Sequence, residues 1–284
     1  VGMLATVAAG LYLDRAAAPA GFQMTLACGV LFAAVGIYLY GLHYEPRVAN
    51  AHLTLLDTFR VPLRDPNFRR FVLFATYWQG SVMLAAPFVI PYLFAHLHMS
   101  FTQVALWSGL ASVCSLVTAP LWGQVADRVG HKAVLTITSV MVAVVLPLCW
   151  MLAVPGHLGF IWVSGVMDAV AWGGVNTAMF NLALASASPR HRVAYIAVLG
   201  MATGLAGCLT GLLSGPLLTV FLHGDFQVAG YQWTGYHWLF VLSGLLRSQA
   251  WRLLRTVHES RAWPAMEVLR DLWTRGSNRL PWKW

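Results

Sequence analysis

Charge is what this 284-residue chain has least of. Only 10% of its residues are Asp, Glu, Lys or Arg, against about a quarter in an ordinary soluble domain. From Phe71 to Pro189 the only formal charges are Asp127, Arg128, Lys132 and Asp168. A water-soluble fold cannot cover its surface with so few. This excludes a soluble globular enzyme, a nucleic-acid-binding domain and a disordered chain. The alternation of apolar and polar residues that marks an outer-membrane barrel is missing. Catalytic signatures are missing as well. There is no H-E-x-x-H, no G-x-S-x-G in an apolar run and no acidic pair within one. No G-x-x-x-x-G-K-[ST] loop is present either, so direct drive by ATP is not expected. Cysteine is scarce: Cys28, Cys114, Cys149 and Cys208 all fall inside apolar runs. They read as small buried hydrophobes, not as a disulfide or metal framework. No cofactor, metal or catalytic residue is implied.

What is present is length of apolar sequence: 58% of the residues are hydrophobic. A helix needs about 20 apolar residues to cross about 30 Å of hydrocarbon. Seven runs qualify, near 22–44, 71–95, 103–122, 133–155, 158–186, 193–222 and 236–256, and 1–13 reads as the end of an eighth. The fold class expected is an all-α membrane protein, a polytopic helical bundle. Because the chain opens at Val1 inside a cut-short run, it is expected to be the C-terminal part of something longer, with the N-terminal half missing.

Lys and Arg set the expected orientation. With the 45–70 connection placed in the cytoplasm, 17 of the 18 cations lie on that side or in the span leading to it. The exception is Arg15, beside Asp14. The +8 net charge therefore reads as topology, not as a nucleic-acid surface. Two segments read as interfacial helices. One is the tail after Pro264, where Met266, Leu269, Leu272 and Trp273 recur at helical spacing. The other is the 50–60 stretch, with Leu53, Leu55, Leu56 and Phe59. The first and last complete spans also align at an offset of 214 residues, Gly21-Phe22-Gln23 with Gly235-Tyr236-His237, and Glu45 and Arg47 with Glu259 and Arg261. Both run outside to inside, as a parallel repeat between two halves requires.

The strongest local signal is the short inner loop Gly123-Gln-Val-Ala-Asp127-Arg128-Val-Gly130-His131-Lys132. Gly123 permits close helix approach, Gly130 permits a turn, and Asp127 stands where a carboxylate meets exposed N–H groups or a cation. This loop resembles the motif G-x-x-x-D-R-x-G-[RK]-[RK] of the major facilitator superfamily (MFS). Gly123, Asp127, Arg128, Gly130 and Lys132 match it, while His131 stands where Arg or Lys is usual. The resemblance implies an MFS-like bundle running from the end of span 5 through span 12. It divides the chain into 1–44 (end of the N-terminal half), 45–70 (central cytoplasmic loop), 71–256 (the C-terminal six-helix half) and 257–284 (cytoplasmic tail). It also implies that the loop motif acts as a conformational latch.

Inside the membrane, Asp168 and Arg247 sit at matching depth. They are candidates for a structural ion pair, or Asp168 for a proton or cation site. Trp172 and Asn176 share the Asp168 stripe. By resemblance these two, with Tyr77, Gln79 and Ser81, are candidates for a substrate cavity; Trp78 is as well suited to face lipid. Gly200, Gly204, Gly207, Gly211 and Gly215 form a stripe suited to packing and bending. His96, His98, His157, His223 and His237 fall near the outer face. The function expected is secondary active transport of a small solute by alternating access, with protons as a possible coupling ion. The partners are then a small-molecule substrate and the lipid bilayer, without nucleic acid. A non-transporting receptor or scaffold on the same fold is the alternative.

Overall fold

The computed structural model describes residues 2–43, 54–228, 231–259, 263 and 267–268. The architecture is helical: α1 (Gly2–Leu13), α2 (Ala20–Gly41), α3 (Leu55–Arg64), α4 (Pro66–Met83), α5 (Ala86–Ala95), α6 (Phe101–Val129), α7 (His131–Val140), α8 (Leu146–Met151), α9 (Gly159–Ser186), α10 (Arg192–Leu222) and α11 (Gly235–Arg255). A two-stranded hairpin, β1 (Phe226–Val228) and β2 (Tyr231–Trp233), fills the connection before α11. Nothing in the apolar periodicity predicts it. The expected tail helix lies almost wholly outside the described residues, as do Glu45, Arg47 and Arg261.

Each apolar run expected to span is helical. Among the described residues, five columns are long and apolar enough to cross a membrane: Ala20–Gly41, Pro66–Ala95, Phe101–Val129, His131–Met151 and Pro189–Leu222. The helices α9 and α11 fall outside that set, and they carry Asp168 and Arg247. Polar residues placed for interior contacts lower their apparent hydropathy.

Two columns are broken by proline. Between α4 and α5 the helix opens at Leu84–Ala85, and Pro87 enters the first turn of α5, where its missing N–H costs nothing. Between α7 and α8 lies a π-helical segment, Met141–Val145. Pro147 has no N–H to give the carbonyl of Ala143, and the N–H of Leu146 reaches back five residues to Met141. The carbonyls of Val142 and Ala143 are thereby released. Unpaired carbonyls are expensive in a bilayer; Arg247 of α11 donates to that of Val142, and Gly244 of α11 packs against that of Ala143.

The bundle is built on pairs, α6 against α9 and α4 against α10, with α7 packed on α9 and α11 on α4. Phe68, Phe71, Phe74 and Trp78 recur every three or four residues along α4 and are fully buried. Phe68 packs on Tyr195 of α10 with ring centroids 4.4 Å apart. Close approach of α9 to α6 and α7 depends on Gly174, where a Cβ would collide with Thr138 and stand 3.1 Å from the Trp122 ring. Helix α1 lies against α6 through Gly10, whose Cβ would come within 2.8 Å of Ala105. The Asp14 carboxylate following α1 accepts from the free N–H groups of Phe101 and Thr102 at 2.8 and 2.9 Å. It caps α6 from another part of the chain.

Candidate functional site

The loop motif is one tight turn. Gly130 (φ +95°, ψ 149°) ends α6 and starts α7. That backbone conformation suits only glycine, and glycine has no side chain with which to cap the helix that follows. The acceptor comes from elsewhere. The Glu259 carboxylate takes the N–H of His131 at 3.0 Å and of Lys132 at 2.7 Å. The Lys132 ammonium reaches the other way, donating to the carbonyls of Arg255 and Val257 at 3.1 and 2.6 Å. These are the orphan acceptors at the end of α11. The N–H of Trp263 closes on the carbonyl of Val129, the last residue of α6, at 2.8 Å.

A third strut comes from α4. The Asn67 amide exchanges two bonds with the backbone of His258, at 3.0 and 2.7 Å, and Arg70 donates to the carbonyl of Thr256 at 3.3 Å. The segment Thr256–Glu259 is thus tied to α4 and α7, and Trp263 ties the chain beyond it to α6. Of the motif residues, Gly130 and Lys132 enter this lock. Gly123 meets nothing at its Cβ position, and Asp127 and Arg128 are exposed. The carboxylate expected at helix N–H groups is therefore Glu259, not Asp127. The offset-214 alignment had singled out Glu259, without telling what it binds.

In the bundle interior Arg247 is buried on α11. Its Nη1 donates to the released carbonyl of Val142 at 3.0 Å, its Nη2 to the Ser243 hydroxyl at 2.9 Å and its Nε to the Ser243 carbonyl at 3.3 Å. Ser243 in turn donates to the carbonyl of Ser81 at 2.6 Å. Asp168 lies within electrostatic reach of Arg247, and the Trp172 indole is turned to its carboxylate. The two charges share no hydrogen bond or close ion pair among the described residues. Arg247 is held instead by the π-helical segment, which sequence periodicity does not reveal.

The candidate cavity residues divide. Gln79 and Asn176 line one cavity of about 290 Å³ between α4, α9 and α10, with Trp78, Met179, Phe180 and Thr203. A neighbouring groove of about 510 Å³ continues along α10 past Gln79, Thr203, Gly204 and Gly207. Tyr77 and Ser81, expected there, turn to the opposite face of α4. The Tyr77 hydroxyl donates to the carbonyl of Leu246 at 3.0 Å, and Ser81 to that of Tyr77 at 2.8 Å. Trp172 stands behind the wall, edge-on to Trp78 at 6.3 Å. Trp78 is buried and faces the cavity rather than lipid. In the glycine stripe only Gly207 is tight, 3.2 Å from Met83 at its Cβ position; Gly200, Gly204, Gly211 and Gly215 face open space.

At the arginine-poor end an aromatic cluster surrounds His237. The Thr234 N–H donates to His237 Nδ1 at 3.0 Å, which leaves the ring proton on Nε2. The buried Tyr92 hydroxyl donates to the carbonyl of Trp150 at 2.7 Å and lies 3.5 Å from that nitrogen. His96 packs edge-on to His237 at 5.2 Å. Burial, reinforced by neighbouring His98 and opposed by Asp225, holds the His96 imidazole below its ordinary pKa. No grouping of three or more metal-ligating side chains occurs among the described residues.

Comparison with known proteins assigns this arrangement. The family model described as Major Facilitator Superfamily matches residues 70–263. The chain belongs to the Major Facilitator Superfamily. It is therefore an integral, multi-pass membrane protein of a transporter family, not an enzyme. Two relatives named multidrug resistance protein MdtG are similar to it. That of Dickeya zeae is 31% identical over 162 residues, covering 52% of this chain and 37% of the relative. That of Salmonella paratyphi A is 28% identical over 154 residues, covering 50% and 36%. The chain thus spans little more than a third of these curated relatives. The MFS match runs from Arg70 to Trp263 and so encloses the Glu259 and Lys132 contacts, the cavity and the Arg247 network, with Asn67 of the lock lying just before it.

Proposed function

We propose that this chain supplies part of a secondary active transporter that moves a small, largely apolar solute by alternating access. The observation that carries the reading is the cavity between α4, α9 and α10. It combines apolar walls (Trp78, Met179, Phe180) with three uncharged hydrogen-bonding side chains, Gln79, Asn176 and Thr203. Such a site fits ligands by shape and a few polar contacts. The name of the MdtG relatives suits an apolar solute of the drug type. In this reading residues 71–256 form the C-terminal six-helix half, and 1–44 belong to the preceding half. The arginine-rich end, with the 45–70 loop and the 257–284 tail, faces the cytoplasm. The Gly130–Lys132–Glu259 lock is the contact that holds one state of the cycle.

Asp168 is the acid that couples the cycle to protons. Among the described residues it has no direct cationic partner, and Trp172 links it to the Trp78 wall of the cavity. The test is uptake or counterflow by the full-length protein in proteoliposomes with an imposed proton gradient, across apolar cations, neutral drugs and sugars. Apolar solutes should be carried, with Asn176→Ala raising KM and Asp168→Asn abolishing gradient-driven accumulation while sparing counterflow. No flux for any solute class would leave the receptor reading in its place. Gradient-driven accumulation by Asp168→Asn would remove the proton role.

A further inference from the structure

The helix α3 is amphipathic in a way the bundle does not use. Its inward face, Val61 and the buried Pro62, packs toward α4 and α10. Its outward face carries Leu56, Phe59 and Leu63, 80%, 38% and 40% exposed. In helical projection these three form one stripe, flanked on a single side by Arg60 and Arg64, both exposed.

The acids of the segment are already engaged. Asp57 is tied to Thr54 at the N-cap of α3, by bonds of 2.7 and 3.2 Å. Asp65 caps α4, accepting from the N–H groups of Asn67 and Phe68 at 2.9 and 3.1 Å. Arg60, Arg64 and Arg69 have no carboxylate partner among the described residues, and Arg190 and Arg192 add exposed cations at the start of α10. Since α4 begins two residues after α3 ends and opens a column long and apolar enough to cross a membrane, the helix stands at the end of that column.

We infer that α3 is a docking surface for anionic phospholipid. Leu56, Phe59 and Leu63 enter the acyl boundary, and Arg60 and Arg64 take headgroup phosphates. Apolar burial alone serves any bilayer; the unpaired arginines make the surface selective for anionic lipid, since each cation near an anionic leaflet adds attraction.

The test uses the full-length protein with Cys28, Cys114, Cys149 and Cys208 replaced and a fluorophore on Leu56→Cys. The vesicles are of phosphatidylcholine doped with spin-labelled phosphatidylglycerol or spin-labelled phosphatidylcholine. Quenching should set in at a roughly tenfold lower fraction of the phosphatidylglycerol label. Arg60→Gln with Arg64→Gln should abolish that preference while leaving quenching by phosphatidylcholine intact. Arg60→Lys with Arg64→Lys should retain it. Equal quenching by both lipids in the unsubstituted helix overturns the proposal. So does a preference that survives the double Gln change. A fluorophore that neither lipid reaches means that protein, not lipid, covers the stripe, and this also overturns it. None of these readouts depends on transport, so they stand apart from the test of the proposed function.

Discussion

Removing the Glu259 carboxylate by Glu259→Ala strips α7 of its cap. Gly130 has no side chain to substitute for it, so the N–H groups of His131 and Lys132 lose their partner together. Loss of an N-cap acceptor costs about 0.5–2 kcal/mol, and loss of a negative charge at a helix N-terminus about 0.3–1 kcal/mol more. A total of about 1–3 kcal/mol moves a two-state equilibrium by roughly five- to 150-fold. The Lys132, Asn67 and Arg70 struts remain, so the segment should loosen rather than detach. Hydrogen exchange read at residues 128–134 and 255–259 is the direct assay. Protection of the His131 and Lys132 amides should fall by that factor, while protection within α9 stays unchanged. Glu259→Gln, which keeps an acceptor oxygen and loses the charge, should fall between. If Glu259→Ala leaves the two amides as protected as before, the lock does not rest on this carboxylate and the reasoning fails.

Gly174→Ala should be destabilising by about 1–3 kcal/mol through overpacking against Thr138 and Trp122, read as a lowered melting temperature in detergent; Gly211→Ala, facing open space, should be neutral or better. Tyr92→Phe leaves the buried carbonyl of Trp150 without its donor and should cost about 1–3 kcal/mol in the same assay. The Thr102 hydroxyl and the N–H groups of Thr102 and Phe101 hold the Asp14 carboxyl below its usual 3.8. Its contribution is thus present above that pH and lost only in stronger acid. Exchange protection at Phe101 and Thr102 should be equal at pH 5 and pH 7.5, and Asp14→Asn should lower it equally at both. His96, depressed by burial, has the same sense in a higher pH window: its neutral form suits the fold. Stability at the arginine-poor end should fall as pH drops below about 6.5, and His96→Gln should flatten that slope in a pH series of melting curves.

The apolar runs were legible because crossing a bilayer demands length and little else. Each expected span is largely helical, and Pro87 breaks its column where the missing N–H requires. The loop motif was legible as a turn through Gly130. What sequence spacing did not show is who meets whom across the bundle. Glu259 lies 127 residues from the N–H it caps at Lys132, and no local pattern encodes that distance. The π-helical segment escaped because apolar residues all around a helix hide a one-residue slip in register. Asp168 and Arg247 share a depth, and depth is all that counting along a helix supplies. Which way Arg247 leans depends on a carbonyl freed in a third helix. Tyr77 and Ser81 failed as cavity residues for a related reason: α4 is buried on several sides, and polarity alone does not say which neighbour a hydroxyl serves.

The central claim is that the space between α4, α9 and α10 is a solute path opened to each side in turn. Asn176→Cys in the full-length protein, the only cysteine retained, tests it with a membrane-impermeant thiol reagent applied to right-side-out and inside-out vesicles. The position should react from both faces at rates that shift oppositely when Glu259→Ala is added, and a transported solute should protect it. Reaction from one face alone under every condition, or from neither, would contradict the account.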